Sequence, residues 1–156
     1  MDLEYLNRVM NEALRYEPPV SVPTTVYCLD DVQLGNYKFE KGDFIIPNFY
    51  GLHMNESEWQ RPSEFLPDRF DNSNELSRTP EGKKRNPASF CPFNGGMRIC
   101  LGKTFAEAQL KLVSTYMTQS FDFKHVDPKF QAGEFPYAHF VQSQVKPVYV
   151  TLTLRK

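Results

Sequence analysis

Cys100 is the residue of this 156-residue chain around which chemistry can be built. It sits in Phe93-Asn94-Gly95-Gly96-Met97-Arg98-Ile99-Cys100-Leu101-Gly102. A cysteine holds a metal as the thiolate, and thiolates form where backbone donors and positive potential offset the charge. Beyond Cys100, the apolar positions 101, 105, 108, 112 and 116 step by four and three, as one face of a helix does. The sulfur is therefore expected at a helix N-terminus, where free amides and the positive end of the dipole favour an anion. Gly95 and Gly96 allow left-handed or closely approaching backbone, and Gly102 withholds a side chain where a flat group or another backbone can lie against the turn. Arg98, two residues before the sulfur, is a permanent cation able to pair with a carboxylate.

The elements that must position this turn are legible on both sides of it. Residues 2–16 read as a helix with Asp2 as N-cap and Leu3, Leu6, Met10 and Ala13 along one face, ended by Pro18-Pro19. Glu12 and Arg15 lie three apart on its surface, which alone describes an ordinary solvated pair. Short strand candidates at 26–29, 32–34, 37–39 and 44–46, with Gly35-Asn36 as a turn, predict a small, strongly bent antiparallel sheet over 26–48. Trp59, Pro62, Phe65, Pro67 and Phe70 punctuate an irregular stretch, and 71–87, with Lys83-Lys84-Arg85, reads as an exposed, mobile loop. After a helix over 103–119, Phe121-Asp122-Phe123 and Val148 to Leu154 alternate as strands, with Gly133, Phe135, Pro136, Tyr137 and Phe140 marking a hairpin between them. The fold class is mixed α+β.

Composition excludes several classes of function. Eighteen Lys and Arg against nineteen Asp and Glu give a net charge of -1 and no electrostatic footprint for nucleic acid. Three cysteines, at 28, 91 and 100, form no paired framework, and neither C-x-x-C nor H-x-x-x-H spacing offers a zinc site. A reducing compartment fits. The acidic, amphipathic start Met1-Asp2-Leu3-Glu4 is expected to be neither signal peptide nor membrane anchor. No apolar run approaches the roughly 20 residues that span a bilayer, and no internal repeat is present.

Phe93, Gly96, Arg98, Cys100 and Gly102 together match F-x-x-G-x-R-x-C-x-G, the cysteine-loop signature of the cytochrome P-450 family, which the chain resembles. The resemblance implies haem b, iron protoporphyrin IX, with Cys100 as the axial iron ligand and Phe93, Gly96, Arg98 and Gly102 about the cofactor, Arg98 toward a propionate. Glu12-Ala13-Leu14-Arg15 resembles the family's E-x-x-R motif, and Pro67-Asp68-Arg69-Phe70 its P-E-R-F segment with Asp68 in place of glutamate. Glu12, Arg15 and Arg69 would then form a buried, structural charge network beneath the haem. The chain divides accordingly as one partial domain over 1–156: a K-like helix at 1–17, the small sheet at 26–48, a meander and loop at 55–90, the haem-binding loop at 92–102, an L-like helix at 103–119 and strands over 121–156.

The resemblance covers the C-terminal portion of the family fold, about its last third. Several positions depart from the pattern: Thr24, Thr25 and Val26 stand where an arginine for a second propionate is usual, Met54 follows His53 in place of arginine, and Gln109 replaces an acid. His53 reads as a hydrogen-bonded structural residue rather than an iron ligand. No A/G-G-x-D/E-T-T segment, the family's oxygen-activating helix, occurs, so no catalytic residue is assigned within the chain. The family reaction is monooxygenation of a small organic substrate with O2 and electrons from NAD(P)H. The implied partners are the N-terminal remainder of the enzyme and an electron donor, a diflavin reductase or a ferredoxin. Lys103, with Lys83, Lys84, Arg85 and Lys111, is the candidate docking face for that donor, and Phe135 and Tyr137 are candidate substrate contacts. The alternative is a non-enzymatic haem-binding or interaction domain. Isomerases and dehydratases of the family share the cysteine loop. Many eukaryotic members are anchored to the endoplasmic reticulum by an N-terminal helix, a segment not found here, and no location follows.

Overall fold

A computed structural model describes residues 3–126, 137–139, 142–144 and 149–155. Helix α1 runs Leu3–Tyr16 and stops where Pro18 and Pro19 forbid its continuation. Asp2, the expected cap, lies outside the described residues. The buried face differs from the apolar stripe expected at 3, 6, 10 and 13. Met10 and Leu14 are buried together with the charged Glu12 and Arg15, while Leu3 and Ala13 are exposed.

The sheet expected over 26–48 takes the form of two nested antiparallel ladders. Strand β1 (Val26–Tyr27) pairs with β4 (Phe44–Ile45), and inside them β2 (Val32–Leu34) pairs with β3 (Tyr37–Phe39). Gly35, at φ +59°, makes the inner turn, a conformation that glycine alone adopts without a Cβ penalty. The short helix α2 (Phe49–His53) follows, capped by Asn48, whose side chain accepts from the Gly51 amide at 2.8 Å.

From 55 to 102 the backbone is a chain of turns rather than a ladder, with 3-10 turns at Pro67–Phe70, Glu75–Ser77, Pro87–Ser89 and Gly96–Arg98. The loop over 71–87 is less free than its sequence implies. A bridge joins Arg78 to Lys84, and half-buried Arg85 lies 3.8 Å from the ring centroid of fully buried Trp59. Helix α3 (Lys103–Ser120) leads into β5 (Phe121–His125), which pairs along its length with β8 (Val150–Leu154). Strands β6 (Tyr137–His139) and β7 (Gln142–Gln144) pair antiparallel. Phe135 and Phe140 lie outside the described residues.

No residue of α3 is buried, and its apolar stripe is open: Phe105 is 73% and Leu112 72% exposed. The interior sits instead between α1, α2 and the turns, where Trp59, Arg15, Arg69, His53 and Glu12 are fully buried. No helix among the described residues is long and apolar enough to cross a membrane.

Candidate haem-thiolate site

Three charged side chains from two distant segments meet in that interior. The Arg15 guanidinium donates bidentately to Glu12, Nε to Oε2 and Nη2 to Oε1, both at 2.8 Å. Arg69 Nε donates to the same Oε1 at 3.0 Å, and the Leu66 amide adds a bond at 2.7 Å. The remaining guanidinium donors hold backbone. Arg15 reaches the carbonyls of His53 at 3.0 Å and Glu64 at 3.1 Å, and Arg69 reaches those of Gln60, Arg61 and Glu64. Burial pulls the Arg69 guanidinium below its ordinary range, with the Glu12 carboxylate opposing that shift. The solvated reading of Glu12 and Arg15 is thus replaced by a fully buried one. Asp68, by contrast, is more than half exposed and lies 3.9 Å from Arg8, apart from the network.

His53 carries the network to the cysteine loop. Its Nε2 accepts from the Cys91 amide at 3.2 Å, while its ring packs against Phe49 and Phe90. Burial, then the nearby Arg15 charge, lowers its pKa from 6.5 to about 4, so the imidazole is neutral near pH 7. Beyond Cys91 the loop is held by its own backbone. Asn94 N–H donates to Cys91 O at 3.0 Å, Cys100 N–H to Phe93 O at 2.8 Å and Lys103 N–H to Cys100 O at 3.2 Å. Gly96 has φ +59°, where a side chain would strain the turn. Gly95, expected to share that role, is extended at φ -157°, and Asn94 takes the second left-handed position at φ +64°. Asparagine tolerates that region better than most residues do.

Cys100 is exposed, Cys91 half-buried and Cys28 buried, all three as free thiols. Burial pushes the Cys91 thiol up from its ordinary range, which disfavours its thiolate. Cys100 lies just ahead of α3, whose N-cap is Gly102. A Cβ at Gly102 would stand 3.8 Å from the Cys100 sulfur with no other atom near, so this glycine keeps the sulfur's surroundings open. Beside the sulfur lies a cleft of about 280 Å³. Cys100 and Arg98 line it with the apolar Leu14, Val20, Phe49 and Phe93.

Among the described residues no group of three or more His, Cys, Asp or Glu could hold a metal ion by itself. The donor set is a single sulfur, with apolar walls and one guanidinium that has no ion pair among the described residues. That set would suit a flat, apolar, iron-bearing macrocycle with carboxylate substituents, held by the sulfur and the guanidinium. Of the cations read as a docking face, Lys103 pairs with Glu107 on the next turn at 3.6 Å. Arg85 is drawn inward onto Trp59, and burial, then the Arg69 charge, lowers its pKa to about 10. His53 is hydrogen-bonded, as its sequence reading has it, but the sequence did not reveal the Cys91 amide as its partner.

Comparison with known proteins identifies the family. The family model described as cytochrome P450 matches residues 1–148. Mouse cytochrome P450 3A11 is 36% identical over 124 residues, covering 80% of this chain and 23% of that protein. The steroid 17-alpha-hydroxylase/17,20 lyase of Ictalurus punctatus is 35% identical over 124 residues, covering 77% of this chain and 22% of its own. The solved structure of cyanobacterial CYP120A1 with retinoic acid bound superposes with a TM-score of 0.80 at 29% identity, covering 97% of this chain and 33% of that one. The fold is the mixed α+β fold of the cytochromes P450. The chain belongs to the cytochrome P450 family, whose cofactor is haem b, and it spans about a quarter of the length of the curated relatives it matches.

Proposed function

We propose that Cys100 would hold a haem iron through its thiolate and that the chain supplies the cysteine-bearing face of a cytochrome P450 monooxygenase. The observation that carries this reading is the placement of the Cys100 sulfur and the Arg98 guanidinium on one apolar-walled cleft. When bound, the haem supplies oxygen-transfer chemistry: O2 and two electrons from NAD(P)H, delivered through a partner, put one oxygen atom into an organic substrate and the other into water with two protons.

The chain's own residues bind and orient. Arg98 pairs with a propionate, and Phe93 and Leu14 give the macrocycle an apolar bed. Gly96 and Gly102 let the loop approach it closely, and the Glu12, Arg15 and Arg69 network fixes the turns that carry the loop. The oxygen-activating groups and most of the substrate pocket belong to the N-terminal remainder of the enzyme, which packs on the open face of α3. The substrate is a small organic molecule, and the electron donor a diflavin reductase or a ferredoxin approaching the face that carries Lys103.

The test is the ferrous carbon-monoxide difference spectrum of the chain reconstituted with haem, beside Cys100→Ala. A Soret band of the thiolate-ligated type that is lost in C100A is the expected result. A free-haem or histidine-type spectrum, identical in the two proteins, refutes the assignment.

A further inference from the structure

One side chain connects the buried charge network to the cysteine loop, and it belongs to neither motif. Among the described residues, every hydrogen bond made by residues 92–102 stays within the loop, its preceding residue Cys91 or the start of α3. The amide of Cys91, at the loop's entrance, donates to His53 Nε2. The backbone carbonyl of the same histidine accepts from Arg15 Nη1 at 3.0 Å. A continuous path follows: Arg15 to the His53 carbonyl, the His53 ring to the Cys91 amide, the Cys91 carbonyl to Asn94, and the Phe93 carbonyl to the Cys100 amide.

The path also settles the tautomer. An N–H donated into Nε2 leaves no room for a proton there, so the neutral ring carries its proton on Nδ1. Nδ1 is buried and has no hydrogen-bond partner among the described residues.

We propose that His53 is a positioning residue for the thiolate, its unprotonated Nε2 fixing the entrance of the cysteine loop and thereby the direction in which Cys100 presents its sulfur. This rests on the reading of Cys100 as the haem ligand, but its first test does not. His53→Phe keeps an aromatic ring between Phe49 and Phe90 and removes the acceptor, and His53→Gln restores an acceptor without the ring.

In hydrogen exchange of the haem-free full chain, followed by mass spectrometry, H53F is expected to speed exchange across residues 91–100 by about tenfold or more, with α1 unchanged. H53Q is expected to recover part of that protection. In the haem-loaded chain, H53F is expected to lower the thiolate-type fraction of the carbon-monoxide band while far-UV circular dichroism stays as in wild type.

Unchanged exchange over 91–100 in H53F overturns the proposal even if C100A behaves as expected. So does an equal rise across the whole chain that H53Q shares, because it marks general destabilisation. Should C100A leave the spectrum unaltered while H53F loosens the loop, the ligand assignment fails and the His53 contact stands.

Discussion

Glu12→Gln offers the sharpest check on the energetics. The side chain is fully buried and accepts four hydrogen bonds, three at Oε1 and one at Oε2. A glutamine can place its oxygen at the Oε1 position, but its amide then points N–H groups at Arg15 Nε, a donor. The substitution also leaves the Arg15 and Arg69 cations buried without an anion. Removing one partner from a buried pair costs about 3–5 kcal/mol, against a total stability of roughly 5–15 kcal/mol for a domain. With a urea m-value near ~2 kcal/mol/M, the midpoint should fall by about 2 M. Urea titration of the chain, followed by far-UV circular dichroism and by the fluorescence of Trp59, the single tryptophan, reads this directly. Asp122→Asn is the control, since its 2.7 Å pair with Arg155 is more than half exposed and should shift stability by no more than about 1 kcal/mol. If E12Q moved the midpoint no further than D122N, the argument that this network holds the turns together would be wrong.

Acid should weaken the fold through His53. Its pKa is 6.5 when unfolded and about 4 when folded, so between those values the unfolded chain binds more protons and stability rises with pH. The contribution, about 3 kcal/mol, is fully present above pH 6.5 and lost as pH falls toward 4; urea midpoints measured across that window should slope more steeply in wild type than in H53F. Gly96→Ala should cost about 1–2 kcal/mol because φ is +59° and no atom crowds the added Cβ, whereas Gly95→Ala, at extended φ, should be nearly neutral by thermal melting. Arg85→Leu removes a guanidinium 3.8 Å from the Trp59 ring centre that also donates to the Glu58 and Leu76 carbonyls. A loss of about 2 kcal/mol and a shifted Trp59 emission are expected, and an unchanged emission would contradict the stacking.

What the sequence could reveal follows from the range of each signal. The cysteine loop and α3 were legible because glycine chemistry and helical periodicity act over a few residues. Glu12 and Arg15 were visible as an i, i+3 pair, but local spacing cannot distinguish a solvated pair from a buried one. That difference depends on Arg69 and the Leu66 amide, more than fifty residues away, and only resemblance to a family pointed there. The apolar stripe of α1 misled for a related reason. Periodicity shows that a face is apolar, not what covers it, and Leu3 and Ala13 on the expected face are exposed while Glu12 and Arg15 are buried. Arg85 was read as free because Lys83-Lys84-Arg85 is a run of cations, yet the third of them turns inward onto an aromatic ring that no local rule could place.

The buried network also bears on whether charge is needed there at all, since an ion triad can often be replaced by well-packed apolar side chains at little cost. Here it should not be replaceable. Besides binding Glu12, the two guanidiniums donate to the carbonyls of His53, Gln60, Arg61 and Glu64, all in a stretch without regular strands to satisfy its backbone. A triple Glu12→Leu, Arg15→Met, Arg69→Met variant removes every buried charge of the network and strands the carbonyls of His53, Gln60 and Glu64, while that of Arg61 keeps the Glu64 amide, at about 1–3 kcal/mol for each one left dry. It should therefore be no more stable than E12Q in the same urea titration. Recovery to wild-type stability would mean that charge neutrality alone governs this interior; failure to recover would identify the two arginines as backbone clamps that stand in for a sheet where the turns approach the cysteine loop.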